Sequence, residues 1–346
     1  MRLGLMLGYS GAHYTLPMDL VLEAERLGYH SAWTAEAWGS DAVTPVAWLL
    51  ARTTRLKAGT AIMQLAGRTP ACAAMTAMTL DQLSGGRFLC GLGPSGPQVV
   101  EGWHGERYGK PLTRLREYIE IVRRILAREA PLTYEGEHYQ IPYRGPGASG
   151  LGKPLKSILH GNPQIPIYTA GISPNGLAVA GEIADGVIPV WMNPENADML
   201  RAPIVEGFRR GGRHTDFTSF DLAPFVRVVL GADLEACRRQ LKEGFALYIG
   251  GMGARGKNFY NDYARRLGYE AAAKRVQDLY LAGDKAAAAA QIPDRLIDEC
   301  SLIGPAARIR EHLAPWRDAA RRGEVGTLIF TVNSVEALRL LAEELL

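Results

Sequence analysis

The feature that most constrains this chain is the alternation of short apolar runs with helical stretches along its whole length. β-rich runs occur at 3–9, 31–36, 55–63, 88–93, 166–171, 186–191, 222–230 and 326–332. Helical patterns fall between or after them, at 17–28, 44–53, 70–84, 112–130, 175–184, 193–212, 233–247 and 335–345. Runs such as Phe88–Leu92 and Thr327–Phe330 are apolar almost throughout, as expected of strands buried on both faces. Strand-then-helix repetition predicts βαβ units on a parallel sheet. Eight such units are the number that closes a (β/α)8 barrel, and an open doubly wound sheet is the competing architecture. The units are spread evenly over 346 residues with no linker or composition break, which favours one barrel domain over 1–346. Two stretches exceed the pattern. Residues 131–165, rich in Gly, Pro and Tyr, read as a hairpin plus loop, and 248–325 as a helical insertion. Insertions after barrel strands sit at the catalytic face, so 248–325 reads either as a lid or as extra helical packing.

Composition removes several function classes. The charge balance of 39 basic and 36 acidic residues predicts neither nucleic acid nor an anionic membrane as a partner. No apolar run approaches the ~20 residues that span a bilayer. The start, Met1-Arg2-Leu3-Gly4-Leu5-Met6-Leu7-Gly8-Tyr9, reads as a buried first strand and not as a leader. Cys72, Cys90, Cys237 and Cys300 have neither CxxC spacing nor a matching His pattern, so they read as reduced core thiols and no metal site is expected. A cytoplasmic protein is the expectation.

Gly91-Leu92-Gly93-Pro94-Ser95-Gly96 matches GxGxxG directly after an apolar strand. A dinucleotide fingerprint needs a helix opening through those glycines. Here Pro94 and Pro97 interrupt the backbone, and the next convincing helix starts near 112. The glycines fit instead a strand end that a ligand approaches closely. A better anion candidate is Tyr168-Thr169-Ala170-Gly171-Ile172-Ser173-Pro174-Asn175-Gly176, where a Ser-Pro helix start gathers free N–H groups, although every helix needs a cap. Glu36, Trp38 and Asp41 follow the second run. A carboxylate there faces a barrel's site and serves either acid–base chemistry or a structural ion pair. Arg68, after Gly59-Thr60-Ala61-Ile62-Met63-Gln64, either holds an anionic ligand or pairs with a neighbouring acid. His13, His104, His160 and Tyr108 are expected on loops at the same face. No HExxH, GxSxG or Walker loop occurs. The residues alone thus lead to a barrel enzyme that binds something phosphorylated.

Arg68-Thr69-Pro70, the run Thr79-Leu80-Asp81-Gln82-Leu83-Ser84-Gly85-Gly86-Arg87-Phe88 and Gly91-Leu92-Gly93 form one specific stretch. With Trp33-Thr34-Ala35-Glu36, Glu182-Ile183-Ala184-Asp185-Gly186 and Leu302-Ile303-Gly304-Pro305, the chain resembles the luciferase-like superfamily of flavin and deazaflavin oxidoreductases, in particular its coenzyme F420-dependent branch. The resemblance implies a (β/α)8 barrel with a tricyclic cofactor over the C-terminal strand ends. It implies a non-prolyl cis peptide at Ala61-Ile62 supporting the ring, with Gln64 at the ring edge and Glu36, Pro94 and Ser95 close by. Gly171, Ile172, Ser173, Asn175 and Gly176 would cradle the cofactor phosphate. Sugar-phosphate dehydrogenases of this branch carry an Asp-His pair after strand two and a Glu after strand four. This chain has Glu36-Ala37 and Gly96 there, so that substrate and mechanism do not transfer. Glu36, His13 and His104 remain as candidate proton donors, and Trp38, Trp103 and Tyr108 as walls of an apolar pocket.

The reading is therefore a homodimeric, F420-dependent oxidoreductase moving a hydride to or from a small substrate, the cofactor supplying the chemistry. An FMN-dependent monooxygenase of the same superfamily is the alternative, and a non-catalytic flavin-binding barrel a further one. Arg107, Lys110, Arg255 and Lys257 are available for the acidic tail of F420.

Overall fold

The structure, a computed structural model, describes residues 1–9, 11–213 and 216–346. Eight parallel strands carry the barrel: β1 Arg2–Gly8, β2 Ser31–Thr34, β3 Lys57–Thr60, β4 Phe88–Gly93, β5 Ile167–Ala170, β6 Gly186–Ile188, β7 Phe225–Leu230 and β8 Thr327–Val332. The helices that follow them are α1 Met18–Leu27, α2 Val43–Arg52, α3 Pro70–Ser84, α4 Pro111–Ala127, α5 Pro174–Ile183, α6 Asp198–Gly211, α7 Leu234–Ala246 and α8 Val335–Leu345. The strands pair in sequence order, with registers such as Gly4↔Ser31, Ala58↔Phe88, Cys90↔Ile167 and Tyr168↔Gly186. β8 pairs with both β1 and β7. Asp221–Leu222, a two-residue strand leading into β7, pairs with β6, and the Phe225 N–H donates to Pro189 O at 2.8 Å. These bonds close the ring, so the parallel sheet is a barrel and not an open doubly wound sheet.

Alternation along the strands sends one residue in two inward. Met6, Trp33, Leu89, Tyr168, Ile188, Ala223 and Ile329 fill the lumen, with Trp33 edge-on to Tyr168 at 5.1 Å. Below them, buried Asp221 accepts from Tyr168 Oη at 2.9 Å and Thr327 Oγ1 at 2.7 Å and pairs with Arg2 at 2.8 Å. The barrel is thus stoppered at its amino-terminal end and can take a ligand only at the carboxy-terminal mouth.

The Asp81–Arg87 run is a helix end followed by a turn. Gly85, at φ +67, closes α3, and the Gly86 N–H returns to Asp81 O at 2.8 Å. Arg87 then donates to Leu50 O, Leu56 O and Thr53 Oγ1, tying this turn to the one between α2 and β3.

Residues 131–165 contain the expected hairpin, Tyr134–Glu135 against Gln140–Ile141, whose turn N–H groups of 137–139 donate to Glu117. Segment 248–325 is not wholly helical. Ser301–Gly304 forms a short strand along the upper half of β7, in register Val228↔Leu302. Two apolar residues between a helix and a Gly-Pro turn carry too little period to announce a strand. Of the four cysteines, Cys90, Cys237 and Cys300 are buried and free, but Cys72 is exposed on α3. Among the described residues no helix is long and apolar enough to cross a membrane.

Candidate active site

The mouth is shaped first by glycine. β3 stops at Thr60, the Ala61–Ile62 peptide is cis, as the resemblance implies, and the chain resumes as Met63–Gln64 paired with Leu92 and Gly93 of β4. A Cβ on Gly91 would lie 1.7 Å from Thr60 O, and one on Gly93 2.8 Å from Ile62 Cγ1. Only glycine lets β4 run this close to the end of β3.

Glu36 is the hub of the rim. Its Oε1 accepts from the Gln64 N–H and from Arg68 Nη1, both at 2.7 Å, and its Oε2 from the Ala42 N–H at 2.9 Å. Arg68 also lies 3.7 Å from Asp41. Burial alone would lower the Arg68 guanidinium, but the Glu36 bond and the charges of Glu36 and Asp41 outweigh it and raise it. Of the two roles open to Glu36 and Arg68, the geometry realises the ion pair.

The Gln64 amide donates to Glu36 O and Ala37 O, each at 3.0 Å, which fixes its orientation. Its Oε1 therefore faces His104 Nε2, 2.6 Å away, as an acceptor, and Nε2 carries the proton. Glu36, Gln64, Arg68 and His104 are thus one connected group.

Ser95 adopts φ +61, a left-handed conformation uncommon for a side chain with Cβ. Contrary to the expectation that no helix opens before 112, Pro97–Gly102 is helical, with Gly96 as cap. A single six-residue turn started by Pro lacks the periodicity that marks a helix. Trp38 and Trp103 are 50% and 64% exposed, so they stand on the rim and do not wall a closed pocket. Tyr108 is half-buried, and burial pushes its hydroxyl up. His13 is exposed on the β1–α1 loop. His160 is not at this face: its carbonyl accepts from Gln82 in the last turn of α3, at the opposite end of the barrel.

At the β5–α5 junction Ser173 caps the helix, accepting from the Gly176 N–H at 3.1 Å, and Pro174 occupies the first position. A Cβ on Gly176 would sit 2.9 Å from Ser173 Oγ. Asn175 is exposed, and its N–H, lying in the first turn, has no intrahelical acceptor.

The sequence did not point to what covers this junction. Arg266, in the insertion, donates to Ile172 O at 2.5 Å. Trp191, directly after β6 and at φ +53, stacks on Phe245 at 4.7 Å, while Tyr263 Oη and Cys300 Sγ both reach its carbonyl. The insertion is docked on the β5–β6 side of the mouth. A Trp held at positive φ has no local signature.

Comparison with known proteins agrees with this architecture. A protein of Mycobacterium tuberculosis named "Putative coenzyme F420-dependent oxidoreductase Rv3520c" is 45% identical over 344 residues, covering 99% of this chain and 98% of that one. The solved coenzyme F420-dependent tetrahydromethanopterin reductase of Methanopyrus kandleri superposes with a TM-score of 0.77 at 21% identity, over 99% of this chain and 97% of that one. An F420-dependent secondary alcohol dehydrogenase, solved with an F420–acetone adduct, gives 0.74 at 18% identity, over 99% and 98%. At these identities the two structures speak to the fold. Residues 1–322 match the family described as luciferase-like monooxygenase, and with the full-length relative at 45% this establishes that the chain belongs to that family.

Proposed function

We propose that the protein is a coenzyme F420-dependent oxidoreductase that moves a hydride between the deazaflavin and a small organic substrate. The supporting relative is the mycobacterial protein of that name, similar over its full length. The observation that carries the reading is the pairing, at one mouth, of the Ala61–Ile62 shelf with a helix start whose Pro174 and Asn175 are exposed. Gly91 and Gly93 leave no room for a Cβ beside Thr60 and Ile62, so β4 packs directly against the β3 end and holds Ala61 and Ile62 in place as the seat for a planar ring. The N–H groups of Ile172, Ser173 and Asn175, with the α5 dipole, would hold a phosphate, while the Gly176 N–H is kept by Ser173 Oγ and fixes the helix start.

When bound, the deazaflavin supplies the hydride acceptor or donor. The chain supplies position. Glu36 fixes Gln64 and Arg68, Gln64 fixes His104, and His104 Nε2 holds a proton at the rim. Of the cations considered for the acidic tail, Lys110 is paired with Glu137 and Arg255 with Asp278, whereas Arg107 and Lys257 are exposed. Arg266, at the Ile172 carbonyl, stands beside the proposed phosphate cradle.

Fluorescence titration of the purified protein with F420 and with FMN, separately, tests the reading. Saturable F420 binding is expected, weakened roughly tenfold by Ser173→Ala combined with Asn175→Ala. Tight FMN binding with no response to F420 replaces it with the oxygenase reading.

A further inference from the structure

We propose that Arg227 is the anchor for an anionic group of the substrate, which makes the substrate class an organic acid: a carboxylate on an apolar body. The inference rests on the barrel mouth being the reaction site and names what that site takes.

Arg227 lies on β7 two residues beyond Phe225 and four beyond Ala223. Ala223 belongs to the cluster filling the lumen and Phe225 packs against it, so alternation places Arg227 on the same inward face, one layer nearer the mouth. Its register partner on β8 is Thr331. In an eight-strand ring β7 stands opposite β3, so Arg227 faces the Ala61–Ile62 shelf across the opening.

The side chain is half-buried, yet among the described residues it makes no hydrogen bond and no ion pair. Its contact is with the Phe225 ring, 5.8 Å from the guanidinium carbon. Other half-buried arginines are bonded to oxygen: Arg68 to Glu36, Arg123 to Asp185, Arg238 to Asp298. Arg114, also without an oxygen partner, lies on α4, outside the strands. On the far side of Arg227 is α7, where a Cβ on Gly244 would come within 4.0 Å of the guanidinium. Tyr248 feels its charge and packs edge-on to Tyr260 at 4.7 Å. The result is one unpaired cation on an aromatic wall.

A half-buried guanidinium with no oxygen partner keeps its donor fork open, and a carboxylate would engage it through two parallel, charge-assisted bonds. The aromatic wall takes the apolar remainder of the ligand. If the ring of Phe225 alone satisfies Arg227, no preference for acids exists.

A panel of small aromatic and aliphatic carboxylates, each beside its matched primary amide, would be titrated into the full-length protein by ligand-observed NMR, with and without F420. Wild type is expected to favour carboxylates over amides about tenfold or more. Arg227→Met is expected to abolish the preference, and Arg227→Lys to keep part of it. F420 affinity and thermal melting, measured on all three, are expected to stay the same. A preference that survives in Arg227→Met, or a wild type that favours no carboxylate over its amide, overturns the proposal. Failure of wild type to bind F420 while the carboxylate preference persists removes the cofactor reading and upholds the anion site.

Discussion

Glu36 and Arg68 are 8% and 17% exposed at their side chains, so their ion pair is shielded from the water that weakens surface pairs. Glu36→Gln puts an amide N–H where an acceptor is needed and leaves a half-buried guanidinium with only Asp41, 3.7 Å away, as a charge partner. Unfolding in urea is expected to show a loss of about 3 kcal/mol, and Arg68→Met a comparable one. Because both single changes break the same contact, the double variant is expected to lose clearly less than the sum. Trp33 illustrates the other kind of residue dependence. It is 1% exposed, centred in the lumen and bonded to Ser31 Oγ at 2.9 Å. Trp33→Ala is expected to cost ~3–5 kcal/mol in the same assay.

At the scale of elements, the edge between β3 and β4 leaves no room for a side chain at Gly91. Gly91→Ala must push Thr60 O, a main-chain atom, out of register, since the added carbon would stand 1.7 Å from it. Soluble yield and urea midpoint should both fall, by more than ~3 kcal/mol in stability. The insertion meets the barrel differently, through single polar bonds around an aromatic stack. Arg266→Ala removes one bond, to Ile172 O, and is expected to leave the melting temperature within a few degrees of wild type while weakening F420 binding several-fold. These two junctions were not equally visible in the sequence. Runs such as Phe88–Gly93 and the Ser-Pro start of α5 announce themselves through local rules of burial, capping and turn chemistry. The strand Ser301–Gly304, the docking of Arg266 and the contacts of Trp191 join residues tens to more than a hundred positions apart. No local period encodes such contacts.

For the whole molecule, the stopper at the amino-terminal end makes stability depend on pH. Burial, with the charges of Lys57 and Arg2 adding to it and Asp221 opposing, pushes the His30 imidazole down to about 4. The unfolded chain, with its imidazole near the ordinary value of ~6.5, therefore binds the extra proton first. Stability is full above pH ~6.5 and falls as the pH drops toward 4. Discounted for the part of the ring still facing water, the loss is on the order of 1 kcal/mol, and His30→Gln is expected to flatten the melting-temperature profile over that window. Below it the half-buried Asp185 adds a loss of its own. Burial would raise its carboxyl, but Arg123, the Ile167 N–H and Arg213 outweigh that and hold it down, so its contribution disappears only as acid protonates it. The sequence by itself determined the alternating elements, the count of eight and the positions of the glycines and caps, because each follows from periodicity and backbone chemistry within a few residues. It also placed Glu36, Gln64 and Ser173 just beyond the ends of β2, β3 and β5. Only the tertiary structure decided that Glu36 is spent on Arg68, that Gln64 orients His104, that His160 lies at the wrong end and that Arg227 is left unpaired. Those outcomes depend on which distant groups compete for the same hydrogen bonds once the ring has closed.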